Sequence, residues 1–244
     1  MTERAVSDVV GYVLIISLIL TSVGIVYTTG VTTLQDTRDT QRVSNAEQAF
    51  AVLQSNTNDV RYRGAPSRMT EIRLSNARLG PGDPVSITVS GDGTTSTNVT
   101  PVVYTSEGGT KIVYAHGAVI RVEPDGGAAM LEEPDFAFGE RSLVPVVDTG
   151  FGDPTTVGGQ TRVFVRVAAA ATTDRSTQIH DVGGSANLTL TTPRPAPWQR
   201  YFTANERVSD CKRTGLDDDR TELTCTVETE SVVVSETNVN VAFR

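Results

Sequence analysis

The strongest pattern in this chain is an unbroken apolar run from Val9 to Tyr27, close to the start and free of charged side chains. A stretch of roughly 20 apolar residues is long enough to cross a bilayer core as one helix. Beyond it, Leu34, Val43, Ala46, Phe50 and Leu53 continue an apolar stripe, and the steps 43→46→50→53 alternate three and four. That spacing keeps side chains on one face of a helix. Asp36, Arg38, Asp39, Arg42 and Glu47 fall mostly elsewhere around the turn, and the first four offer i, i+3 and i, i+4 pairs, of which Asp39 and Arg42 carry opposite charge. No proline occurs before Pro66, so the pattern predicts one helix ending near Arg61-Tyr-Arg-Gly64. About 50 residues at ~1.5 Å each would reach roughly 75 Å, far more than a membrane needs. The surplus requires a partner, either the chain's own domain or neighbouring copies.

From Met69 onward the period changes from helical to alternating. Strands are expected at Glu71–Leu74, Val85–Val89, Val99–Tyr104, Lys111–Tyr114, Ala118–Glu123, Ala128–Leu131, Arg162–Ala168, Ala186–Thr191, Leu223–Thr229 and Val232–Phe243. Gly80-Pro-Gly-Asp-Pro84 and Gly91-Asp-Gly93 supply turn chemistry. The expected fold class is therefore α+β, a long N-terminal helix followed by a mainly antiparallel, sandwich-like or rolled β domain over 69–244. A region of that size suits one hydrophobic core rather than two. One short helix interrupts the strands near Pro197, where Trp198, Tyr201 and Phe202 would share a face. That face either packs against the sheet or forms a stacking platform for carbohydrate.

Charge narrows the function. The net charge of −8 argues against a nucleic-acid surface. Lysine occurs only at Lys111 and Lys212, every other basic residue being arginine. This usage fits either salt adaptation or a GC-rich genome. Cys211 and Cys225 are the only cysteines and read as a disulfide rather than half of a zinc site. His116 and His180 are the only histidines, and neither has a nearby catalytic or metal-binding pattern. Asp148…Asp153 and Asp217-Asp-Asp219 lack a calcium-loop pattern and read as solvated turns. No metal, cofactor or enzymatic role is expected. Asn98-Val-Thr100 and Asn187-Leu-Thr189 are N-glycosylation sequons on strands expected to face outward.

The apolar run admits three readings: a removed export signal, a permanent anchor, or a helix retained after cleavage in front of it. Tyr27-Thr-Thr-Gly30 is a poor export cleavage site. Arg4-Ala-Val-Ser-Asp-Val-Val-Gly-Tyr-Val-Leu14 resembles the class III signal of archaeal type IV pilins, although Asp8 stands where proline is common and Val10 replaces isoleucine. The segment Gly109–Ile120 through Glu133-Pro-Asp-Phe136, with the later Trp/Tyr/Phe helix, is similar to haloarchaeal pilin-like proteins.

The resemblance implies a leader over 1–5, cleavage between Ala5 and Val6, and a retained helix over 6–62. Val9, Val13, Leu14, Ile16, Leu20, Val23 and Phe50 would then line a filament core. Ser7 or Asp8 would cap the first turn, or Asp8 would neutralise the new amino group of Val6. Implied partners are a prepilin peptidase, an assembly ATPase with its membrane platform, and copies of this chain in a helical homo-oligomer. The chain would lie in the membrane before assembly and on the cell surface, with adhesion as its role, afterwards. The competing expectation is a monomeric anchored domain that binds sugar or another envelope protein; a secreted hydrolase is a distant third.

Overall fold

The computed structural model describes residues 3–170, 176–216 and 219–244, with backbone alone for 3–9 and 28–37. The chain divides into two compact units, Met1–Arg42 and Val43–Arg244. Helix α1 spans Glu3–Tyr62 and ends where the sequence predicts, just before Gly64 in a left-handed conformation (φ 69°). Its last part, from Val43, belongs to the second unit, so that domain begins well before residue 69.

The second unit is mostly strand. Its elements are β1 (Ser67–Pro81), β2 (Val85–Ser90), β3 (Thr94–Val99), β4 (Val102–Thr105), β5 (Lys111–Ala115), β6 (Ala118–Val122) and β7 (Ala128–Glu132). They continue with β8 (Arg141–Phe151), β9 (Val157–Ala169), β10 (Ser176–Thr192), helix α2 (Pro195–Thr203), β11 (Val208–Gly215) and β12 (Thr221–Phe243). Ten strands form one hydrogen-bonded path, β3-β2-β10-β12-β9-β1-β4-β5-β6-β7, and β8 and β11 both pair with β12. Long β12 is the spine: it meets β10 along Thr221–Glu236 and β9 along Val239–Phe243. Every pairing is antiparallel except β8 with β12.

Several expectations change here. The expected strand Val99–Tyr104 is two strands, because Pro101 lacks an N–H and the chain breaks at Thr100-Pro101. Strands β8 and β11 were not expected. In β8, Pro145 sits in the ladder opposite Ser235, and β8 pairs with β12 alone apart from one isolated bridge. Such an edge tolerates a missing donor.

Two buried apolar clusters replace the single expected core. One joins Val85, Ile87, Val113, Ala115, Leu188, Trp198, Phe202 and Val234, among others. The other joins Phe50, Leu53, Ile72, Leu74, Ile112, Tyr114, Val165 and Val241, among others. Alternate residues of β5 enter opposite clusters, so this strand is buried on both faces. At ~4.8 Å per strand, six steps along a flat sheet would hold β2 and β5 roughly 29 Å apart. Instead the Val85 carbonyl lies 3.2 Å from His116 Nε2, just beyond β5. The sheet therefore curls back on itself, and the first cluster fills the curl, whereas the second joins the end of α1 to the neighbouring strands β12, β9, β1, β4 and β5.

Candidate functional site

Val10–Tyr27 has a mean hydropathy of 2.2, and none of it is buried within the chain. Leu18, for example, is 71% exposed. Eighteen residues at ~1.5 Å rise give about 27 Å, close to the ~30 Å hydrocarbon thickness. Two polar side chains inside it are satisfied locally. Thr21 Oγ1 donates to the Ser17 carbonyl and Ser22 Oγ to the Leu18 carbonyl, each at 2.7 Å. Internal satisfaction is what an apolar medium demands of such groups. Val13, Leu14, Ile16, Leu20 and Val23 are all uncovered. The side chains of Ala5, Val6, Asp8 and Val9 lie outside the described residues, and with them the expected cleavage and charge-pairing positions.

Phe50 has a different fate from the one expected. It is fully buried in the chain's own domain, with Val43, Ala46, Leu53 and Val60 beside it. Of the two partners the sequence offered this stripe, the chain's own domain and neighbouring copies, the domain takes it. Polar contacts lock the same face. Gln54 Nε2 donates to the carbonyls of Gly117 (2.7 Å) and Glu133 (2.9 Å), and Arg121 bridges Glu47 at 2.8 Å. At the helix end, Arg61 is 4% exposed. Its guanidinium donates to Asn58 Oδ1 and Tyr62 Oη and lies 3.6 Å from Asp135. A buried charge of this kind persists only with such partners. Sequence reasoning treated Arg61 as a mere end marker.

The turn between β5 and β6 is His116-Gly117, with φ of 49° and 83°. Both are left-handed, the signature of a two-residue type I′ hairpin, in which asparagine usually takes the first place. Unusually for a turn, His116 is 1% exposed. Its Nε2 must carry a proton to donate to the Val85 carbonyl, and Nδ1 has no partner. Burial lowers its pKa from 6.5 to about 4, so the ring is neutral at ordinary pH. The other histidine, His180, contacts Thr95 Oγ1 at 2.7 Å.

Helix α2 resolves its two readings in favour of packing. Trp198 and Phe202 are buried in the first cluster, and they stack with Phe136 at centroid distances of 6.2 and 6.3 Å. Tyr201 donates its hydroxyl to the Pro134 carbonyl at 3.2 Å. Trp198 and Phe202 therefore present no open face to a sugar, and Tyr201 is half-buried. Cys211 and Cys225 form a disulfide between β11 and β12. Asn98 on edge strand β3 and Asn187 on β10 are both exposed. They lie on one face, because Asn98 stands opposite Ser86 and Asn187 opposite Ser90 on the intervening β2. Among the described residues, no three His, Cys, Asp or Glu side chains are grouped to hold a metal. Asp148 belongs to β8 rather than to a turn, and Asp217 and Asp218 lie outside the described residues.

Fold and segments together define a class: an apolar N-terminal helix joined to a mostly antiparallel β domain stapled by one disulfide. The chain belongs to a family of unknown function, DUF7289, which it matches over residues 4–242. No curated protein and no solved structure matches it.

Proposed function

We propose that this chain is a type IV pilin-like subunit, cut between Ala5 and Val6, held in the membrane by Val10–Tyr27 and then assembled into a surface filament. One observation carries the reading: an apolar segment of membrane length that the chain itself leaves wholly uncovered. An uncovered cylinder of this kind needs lipid, or other helices like itself, around its full circumference. The motif Arg4–Leu14 supports cleavage in front of the helix, and the disulfide suits an oxidising exterior. The β domain would coat the outside and mediate adhesion, and Asp8 would pair with the ammonium of Val6 within the helix bundle. The reading requires an archaeal prepilin peptidase, an assembly ATPase with its platform, and copies of the same chain.

The decisive measurement is the mass of the mature N-terminus, with electron microscopy of sheared appendages beside it. A start at Val6 and filaments containing this chain are expected. Retention of Met1 or Thr2 in a dispersed membrane species would replace the proposal with a monomeric anchored binding domain. A start beyond Tyr27 would mean a removed export signal. Asp8→Ala should leave processing intact and reduce filament yield.

A further inference from the structure

A cleft of about 380 Å³ opens in the β domain, over the ends of β1, β4 and β5. Its lining is unusual for an acidic chain: Arg78, Lys111 and Arg194 face it, against the single carboxylate of Asp83. The ladder explains how two of these cations meet. Arg78 on β1 stands opposite Thr105 on β4, and Thr105 stands opposite Lys111 on β5. Directly paired residues point to the same face of a sheet, so Arg78 and Lys111 flank one threonine in a single row about 10 Å across. The next row on that face is Gly80, Val103 and Val113, which forms an apolar floor. Arg194 comes from the chain just before α2, and Thr156 adds a second hydroxyl.

Several other cations of the domain are neutralised by a neighbouring carboxylate. Arg61, Arg68 and Arg121 each meet a carboxylate within 4 Å. None of Arg78, Lys111 and Arg194 forms an ion pair among the described residues, although Lys111 and Arg194 are only partly exposed. Desolvation lowers the pKa of Arg194, and Asp83 offsets this only in part. Gathering three like charges over an apolar floor costs stability unless an anion completes the arrangement.

We infer that this cleft binds an oxyanion, a carboxylate, sulfate or phosphate, held by the Arg78, Lys111 and Arg194 head groups with the Thr105 and Thr156 hydroxyls. Guanidinium groups grip such anions through paired, charge-assisted hydrogen bonds. The volume exceeds one free anion and admits a sugar-sized body carrying it. The assignment is independent of whether the chain forms filaments.

The test is calorimetric titration of the full chain in nonionic detergent, at fixed ionic strength, with sulfate, phosphate and glucuronate in turn. Saturable binding near one equivalent is expected for at least one of them. Arg194→Gln and Lys111→Gln should each weaken it about tenfold or more, the loss expected for one charge-assisted bond. Arg213→Gln, on exposed β11 outside the cleft, should leave it unchanged. Lys111→Gln keeps the test decisive if Arg194→Gln folds poorly. Tighter binding of glucuronate would assign the site to an acidic sugar; binding of sulfate or phosphate alone would assign it to a free inorganic anion. Absence of saturable binding by all three, or equal weakening by Arg213→Gln, would overturn the inference.

Discussion

His116 makes the stability of the β domain depend on pH in a way that one substitution can isolate. The buried ring is neutral in the folded chain with a pKa of about 4, against 6.5 when solvated. Above 6.5 the imidazole is neutral in both states and contributes no pH dependence. Between 6.5 and 4 the unfolded chain takes up a proton that the folded chain refuses, so stability falls as pH falls. Below 4 both states are protonated and the loss is complete. The gap corresponds to about 3 kcal/mol. The geometry gives the reason: Nε2 already donates to the Val85 carbonyl, and a proton on Nδ1 would find no acceptor. Carboxylates titrate in the same range, so His116→Asn is the reference. Asparagine suits the left-handed turn position and does not ionise. Urea unfolding of the full chain in nonionic detergent, followed by the fluorescence of Trp198, gives the stability of each protein from pH 7.5 to 3.5. The wild type should lose about 3 kcal/mol relative to His116→Asn, mostly between pH 6.5 and 4. A difference that stays flat within 1 kcal/mol would refute a buried neutral histidine.

Three further outcomes follow from the packing. Phe50→Ala should cost about 3–5 kcal/mol in the same assay, because the ring is fully buried and its cavity cannot collapse against a sheet; a loss below about 1 kcal/mol would mean that α1 is not part of the domain. Cys211→Ala with Cys225→Ala should cost about 3 kcal/mol through the freed loop, and adding reductant to the wild type should reproduce that loss. Ile16→Lys with Leu20→Lys, near the middle of the apolar segment, should add about 3 kcal/mol per site against membrane insertion. Carbonate extraction should then release the chain, and retention in the pellet would count against a membrane-spanning helix.

The parts of the fold that follow from periodicity were legible, and the parts that follow from closure were not. The steps Val43, Ala46, Phe50, Leu53 announced a helix face, and alternation announced most strands. Strand β8 escaped because Ser142-Leu-Val-Pro-Val-Val147 shows no alternation and carries a proline. Strand β11 escaped because only Val208 in it is buried, so it has no apolar period at all. The joining of β2 and β5 in the first cluster and the burial of a turn histidine depend on which distant strands the curled sheet brings together. The disulfide was readable from an even, closely spaced pair behind an export-type segment. The cations of the cleft come from β1, β5 and the approach to α2, and nothing local joins them.

The reassignment of Phe50 sharpens what the helix can do. A stripe on one face is the signature of a helix lying on a soluble domain, and Val43–Val60 has such a stripe and such a partner. Val10–Tyr27 carries no charge anywhere around its circumference and exposes large apolar side chains on every side, and no single sheet could cover that surface. The two parts of α1 therefore answer to different surroundings. The later part spends its apolar stripe on the domain, whereas Val10–Tyr27 keeps its apolar surface for lipid or equivalent helices. Mutations at Phe50 should then act through domain stability, whereas mutations at Leu14 or Leu20 should act through insertion and assembly while leaving the domain folded.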